Sequence, residues 1–249
     1  MNLAMLFYSK TALAIAPYDI DSITTKIAAT QTHRQKRMST KAPAIPTSAY
    51  IKAARGEIAT GLEKVKGIEA GKGWGVAVFD SPIETLFAAL NDEMHHQHDS
   101  PIEYTEILSV GSCRDKRKVL MIMPTPIVKD RWWVTENRVN NALKRESNRE
   151  LREMTWNVVK DVDELIKGTE GEKRIADGLQ ITFSSGAWLL IKLDENHTLG
   201  EYFTWADPGG VIPAGPASIF VAGQISNFFK TIDHYVKNAE TLPCMGKMR

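Results

Sequence analysis

From residue 101 to 206 the chain offers one short apolar run after another, and none keeps a 3.6-residue repeat over the length of a helix. The runs are 102–110, 118–123, 127–139, 151–159, 179–193 and 198–205, parted by breakers such as Gly111-Ser112, Pro124-Thr125-Pro126 and Asp194-Glu195-Asn196-His197. Consecutive strands with short connections pair antiparallel, because a parallel pair needs a long crossover. The turn Asp207-Pro208-Gly209-Gly210 and the stretch Val211-Ile212-Pro213-Ala214 then lead into a long helix ending near Val236. Ala217, Val221, Ile225, Phe228, Ile232 and Tyr235 recur along it every three or four residues, with Lys230, Asp233 and Lys237 elsewhere on its circumference. Such a stripe must be buried, and the concave face of the sheet is the available surface. Small residues in the first half of the helix, Ala214, Gly215, Ala217, Ser218, Ala222 and Gly223, leave room for close helix–sheet contact or for a ligand.

Upstream of the strands, 48–58 reads as a helix and 57–68 as an imperfect strand. Gly67, Gly71, Gly73 and Gly75 surround Lys72 and Trp74, but another strand-like run, 74–79, follows them instead of a helix. They therefore read as a hairpin turn and not as a phosphate cradle. In Asp80-Ser81-Pro82-Ile83-Glu84, Ser81 is placed to cap a helix, with Pro82 in its first position and Glu84 three residues after the cap. Residues 160–177, charged and with Gly168 and Gly171, read as a long solvated loop. In 179–193 the odd positions are the more apolar, so turning Trp188 inward calls for a bulge at Ser184-Ser185-Gly186.

The head of the chain differs in character. Its first fifty residues hold Lys10, Lys26, Arg34, Lys36, Arg37 and Lys41 against Asp19 and Asp21, although the whole 249-residue chain has a net charge of only +1. The remainder is thus mildly acidic, which gives no electrostatic footing for nucleic acid. Residues 1–45 are expected to be a disordered extension or a signal segment, with the domain occupying 46–249. Ala12-Leu13-Ala14-Ile15-Ala16 has the Ala-x-Ala form of a signal-peptidase site, yet no cation precedes the apolar run and Lys10 interrupts it. A cleaved signal, a membrane-surface helix and a true start at Met38 remain open, and with them a cytoplasmic, exported or periplasmic location. Cys113 and Cys244 have no metal-ligand or redox spacing and are expected to be isolated thiols.

Chemistry-bearing motifs are sparse. Glu93-Met94-His95-His96-Gln97-His98-Asp99 concentrates histidines, but no second cluster supplies further ligands, so a polar loop at a pocket mouth is expected and neither a metal nor a cofactor. No Gly-x-Ser-x-Gly elbow, His-Glu-x-x-His pair or phosphate loop occurs. Asp130 and Arg131 are neighbours on a strand and point to opposite faces.

The order of elements resembles the START-like, or SRPBCC, helix-grip superfamily, closest to StAR-related lipid-transfer domains. Three stretches carry the likeness over about residues 50–240. They are Phe79-Asp80-Ser81-Pro82-Ile83-Glu84-Thr85-Leu86-Phe87, the pair Gly186-Ala187-Trp188-Leu189-Leu190 and His197-Thr198-Leu199-Gly200-Glu201-Tyr202, and Trp205-Ala206-Asp207-Pro208-Gly209-Gly210-Val211-Ile212-Pro213-Ala214. The Pro124 to Arg131 stretch is similar as well. The resemblance implies an α+β fold in which a curved antiparallel sheet wraps a long C-terminal helix around a hydrophobic cavity. It implies a monomer that carries a lipid or other apolar small molecule and makes transient membrane contact. It does not imply an enzyme, although relatives include polyketide cyclases and chaperone co-factors. Trp133, Trp156, Trp188 and Tyr202 from the sheet, with Val221, Ile225 and Phe228 from the helix, are the expected lining. Arg131, Thr155 or Thr204 would set a head group.

Overall fold

The computed structural model describes residues 17–65, 68–95, 100–109, 111–125, 129–175, 177–207, 209 and 214–247, with backbone alone for 68–70 and 214–222. Two helices come first, α1 (Ile20–Arg34) and α2 (Thr47–Ala54), then the hairpin β1 (Ala59–Val65) and β2 (Ile68–Asp80) and the short α3 (Ile83–Leu90). The strands β3 (Tyr104–Ile107), β4 (Lys116–Met123) and β5 (Arg131–Val139) follow, and α4 (Asn141–Glu146) joins β5 to β6 (Leu151–Val158). After α5 (Asp163–Ile166) and α6 (Glu170–Arg174) come β7 (Leu179–Gln180), β8 (Ser184–Lys192), β9 (His197–Ala206) and α7 (Ala214–Asn238).

The nine strands form one open sheet in the order β1-β2-β9-β8-β6-β5-β4-β3, and β7 lies parallel to the start of β5. Hydrogen-bonded partners carry side chains on the same face, so the register sorts each residue. One cross-strand row is Gly75, Tyr202, Trp188, Met154 and Val139; the next is Gly73, Thr204, Gly186, Trp156 and Asn137. These rows face α7 and α3 and form the inner face, where Phe79, Trp188, Ile225 and Phe229 belong to one buried cluster. The alternate residues, among them Val76, Val78, Leu189, Ile191 and Leu199, face the other way and are buried against Ile23, Tyr50 and Ala53 of α1 and α2. Further along that outer face, Val162 and Ile166 cover Leu120, Ile122, Trp132 and Val134.

Burial on both faces explains several departures from the sequence reading. Both parities of β8 are apolar because both are covered, so no bulge is needed. The β8–β9 register runs without interruption from Ser184 to Lys192, and the break falls instead at 181–183, between β7 and β8. The expected solvated loop 160–177 carries α5 and α6 and contributes to the third cluster. Ser81 does not cap α3: Pro82 holds the cap position without a side-chain bond, and the Ser81 carbonyl accepts from Thr198 Oγ1 at 2.8 Å. A β1–β2 hairpin forms, but the expected turn at Gly71, Gly73 and Gly75 is instead part of β2, paired with β1, and the tip falls at 66–67, outside the described residues.

The largest departure concerns the head. Residues 17–45 are not a mobile extension. Tyr18 N bonds Ala54 O, Ile23 is fully buried, and the basic cluster meets two buried glutamates. Glu201 and Glu153 lie in one outer-face row, with Leu189 between them. Arg34 donates to both oxygens of Glu201 at 2.8 Å, and Tyr50 Oη donates to the same carboxylate at 2.8 Å. Glu153 accepts from Arg37 Nε at 3.2 Å, from the Met38 amide at 2.8 Å and from Asn140 Nδ2 at 2.8 Å. Burial opposes the charge on Arg34, but Glu201 outweighs it and leaves that pKa above its ordinary value. Residues 1–16, which hold the signal-like stretch, lie outside the described residues.

The cysteines are also not isolated. Cys113, after β3, and Cys244, after α7, are joined in a disulfide across a sequence separation of 131. The bond fastens the tail beyond α7 to the β3–β4 connection.

At the β8–β9 turn, Asp194 accepts from the amides of Asn196 and His197 and from Tyr18 Oη at 3.0 Å. Burial, the largest single contribution, raises its pKa, but these bonds and that of the His197 ring together bring it down to about 2 from 3.8. A folded-state pKa below the unfolded one stabilises at neutral pH, and the contribution is lost as pH falls. The excess melting temperature of the wild type over Asp194→Asn is expected to shrink between pH 3.8 and about 2. A difference that stays constant across that window would rule out this role.

Candidate functional site

The inner face divides into a filled half and an open half. In the filled half, α7 rests directly on the sheet: a Cβ on Gly75 would lie 2.7 Å from Ile225 and 2.8 Å from Phe229. Trp188 is fully buried, with its ring centre 4.7 Å from Phe229, 4.9 Å from Tyr202 and 5.8 Å from Phe228. Trp156 stacks on Tyr202 at 5.5 Å and lies over β8, where a Cβ on Gly186 would fall 2.1 Å from its ring and 2.4 Å from Phe203 O. Only glycine permits that approach. Burial raises the Tyr202 pKa and a hydrogen bond from Thr204 opposes it, so the phenol stays neutral.

Polar groups close the α3 end of this face. Arg117, 1% exposed, donates from Nε to Glu93 Oε2 at 2.9 Å and from Nη2 to Asn91 Oδ1 at 3.0 Å. Asn137 Nδ2 donates to Glu93 at 2.7 Å, and Thr135 Oγ1 donates to Asn137 at 2.8 Å. The Tyr235 hydroxyl donates to Asp92, and burial with that neighbouring charge raises its pKa. His95 Nδ1 lies 2.7 Å from Asp92 Oδ1, while His96 and His98 are outside the described residues. Among the described residues no three His, Cys, Asp or Glu side chains gather as a metal site.

Toward the elbow that enters α7 the inner face is less deeply buried. Ile107, Met121, Met123, Trp133, Trp156 and Val158 are half-buried, whereas Leu120, Val134, Ile122 and Trp132 on the opposite face are 0–8% exposed. The side chains of 214–222, Val221 included, are outside the described residues. Arg131 sits at its edge, 3% exposed, and donates to Lys129 O and to Gly209 O of the elbow.

Of the expected lining, the register puts Trp133, Trp156, Trp188 and Tyr202 on one face. Phe228 joins their aromatic cluster, and Ile225 instead packs tightly against Gly75. Thr155 belongs to the other face, buried on the side of the N-terminal segment, so it is not a head-group candidate for this site. Phe229, fully buried against Phe79 at 5.6 Å, was absent from the expected helix stripe, although its spacing of four from Ile225 carried the signal. Glu93, Arg117 and Asn137 were also missed, since three polar residues far apart in sequence announce no pairing.

No family model matches the chain, and no curated protein matches it in sequence. Solved structures do match. A StAR-related lipid transfer protein fragment from Xanthomonas axonopodis aligns with a TM-score of 0.59 at 17% identity, covering 73% of this chain and 94% of that one. Human StAR-related lipid transfer protein 5 aligns at 0.60 and 11% identity, covering 89% and 99%. Human STARD10 aligns at 0.58 and 15% identity, covering 83% and 80%. At these identities the likeness concerns the fold, and it agrees with an open antiparallel sheet gripping a C-terminal helix. The chain has the START-like helix-grip fold.

Proposed function

We propose that the protein binds and transfers a lipid or another apolar small molecule, held between the open half of the inner face and the first half of α7. One observation carries this reading: the half-buried apolar residues Met121, Met123, Trp133, Trp156 and Val158 stand on a concave face, while their outward neighbours are covered. Contiguous apolar surface left uncovered inside a fold is what an apolar ligand would occupy. The likeness to lipid-transfer proteins supports the same reading.

A carrier is favoured over a catalyst by the placement of the candidate acid and base. Asp130 accepts from the Thr125 amide at 3.0 Å, and Arg131 holds backbone carbonyls, so both are engaged in fastening the edge of the site. Native mass spectrometry with solvent extraction is expected to recover a bound lipid, and the emptied protein to take up fluorescent lipid analogues. Trp133→Arg, which places a charge on the apolar wall, is expected to weaken uptake by about tenfold or more. A protein that is empty as isolated and takes up no analogue would end the carrier reading.

A further inference from the structure

Two hydrogen-bonding atoms in the wall of this site are buried without a partner, Trp188 Nε1 and Gln224 Oε1. A buried polar atom without a partner is costly, and its presence at a candidate site asks what would satisfy it. The benzo edge of Trp188 faces Gly200, whose Cβ would lie 3.4 Å from Cζ3. That turns the pyrrole edge, which bears Nε1, the other way along the strand, toward the row of Gly186, Thr204 and Trp156. Gln224 lies one helical turn before Phe228, on the same side of α7. The Phe228 ring packs 5.8 Å from both Trp188 and Tyr202, which places Gln224 over the same part of the sheet.

A donor from the sheet and an acceptor from the helix thus lie over the same part of the inner face, at the border between its two halves. Resting on the carrier reading, we propose that the ligand is an uncharged amphiphile whose hydroxyl group seats there. Its oxygen accepts from Trp188 Nε1, and its hydrogen is donated to Gln224 Oε1. A hydroxyl satisfies both atoms at once, whereas an ether or ester oxygen serves only the donor. A phosphate or carboxylate would set negative charge against the Gln224 oxygen. Arg117 is held by Glu93 and Arg131 by the carbonyls of Lys129 and Gly209; Arg152, whose Nε and Nη2 have no partner, pairs with Glu84 beneath α3 and stacks on Phe87, in the cross-strand row of Leu190 and Gly200 on the benzo side of Trp188.

The test uses the full chain stripped of bound lipid and three probes with the same apolar tail: a pyrene-tagged long-chain alcohol, its methyl ether and the corresponding carboxylic acid. The alcohol is expected to bind about tenfold more tightly than the ether and more tightly than the carboxylate. In Gln224→Leu, which keeps the reach of a half-buried helical side chain, the advantage over the ether is expected to fall to about twofold or less. Equal binding of alcohol and ether, tightest binding of the carboxylate, or an undiminished advantage in Gln224→Leu overturns the hydroxyl seat and leaves the carrier reading standing. If none of the three probes binds, the carrier reading itself falls.

Discussion

Glu201→Leu is expected to destabilise the protein by about 3–5 kcal/mol, the cost of leaving a buried charge without its partner. The carboxylate is 3% exposed and receives both terminal nitrogens of Arg34 together with Tyr50 Oη. Removing it leaves the largely buried Arg34 guanidinium and the buried Tyr50 phenol without their acceptor. Burial and the Glu201 charge both raise the Tyr50 pKa, so that hydroxyl stays a donor in need of an acceptor. The measurement is urea unfolding of wild type, Glu201→Leu, Arg34→Leu and the double variant. Because an apolar pair leaves no charge stranded, the double variant is expected to recover part of the loss. Limited proteolysis of Glu201→Leu is expected to cut within residues 17–45, which the wild type protects. A single variant as stable as wild type would show that the N-terminal segment is not held by this pair.

Loss of the disulfide is the second large effect. Cross-linking positions 131 residues apart removes about 5 kcal/mol of chain entropy from the unfolded state by the loop-closure relation. The bond joins Cys113 to the tail that follows α7, so reduction is expected to free residues 239–247 as well as lower global stability. Thermal melts with and without reductant, and of Cys113→Ala, are the measurement. Because both sulfurs sit in buried positions, 4% and 1% exposed, the reduced protein and the alanine variant are expected to agree closely. Equal melting temperatures with and without reductant would refute the stabilising role. Such a bond also anchors the filled end of α7, and it leaves the elbow end as the part of the helix that borders the open half of the face.

Much of the scaffold was legible in the residues because local chemistry writes it locally. The succession of strands between 104 and 206 follows from apolar runs parted by turn residues, and the long α7 from a stripe at helical spacing. Trp188 and Tyr202 share a face because strand alternation and the short β8–β9 turn leave few other registers, whereas Trp156 joins them only through the pairing of β6 with β8 across the long 159–183 connection. The limits arose where burial came from elsewhere in the chain. A strand covered on both sides loses its alternation, so the pattern of β8 suggested a bulge where the structure has an unbroken ladder. Glu153 and Glu201 carry no local mark of burial, and Arg34 and Arg37 read as part of a mobile basic head, because the attraction that buries them acts across more than a hundred residues.

By itself, then, the sequence determined the order of elements, which depends on periodicity and on neighbours a few residues apart, while the helix-grip arrangement and the aromatic lining came with its resemblance to a known fold. Only the tertiary structure decided that residues 17–45 cover the outer face, that Cys113 meets Cys244, that Glu93 neutralises Arg117, and that Trp188 and Gln224 keep unpaired polar atoms at the site. The physical reason is common to all four. Each depends on which distant groups share a dehydrated space, and desolvation is a property of the packed chain that no local pattern of residues records.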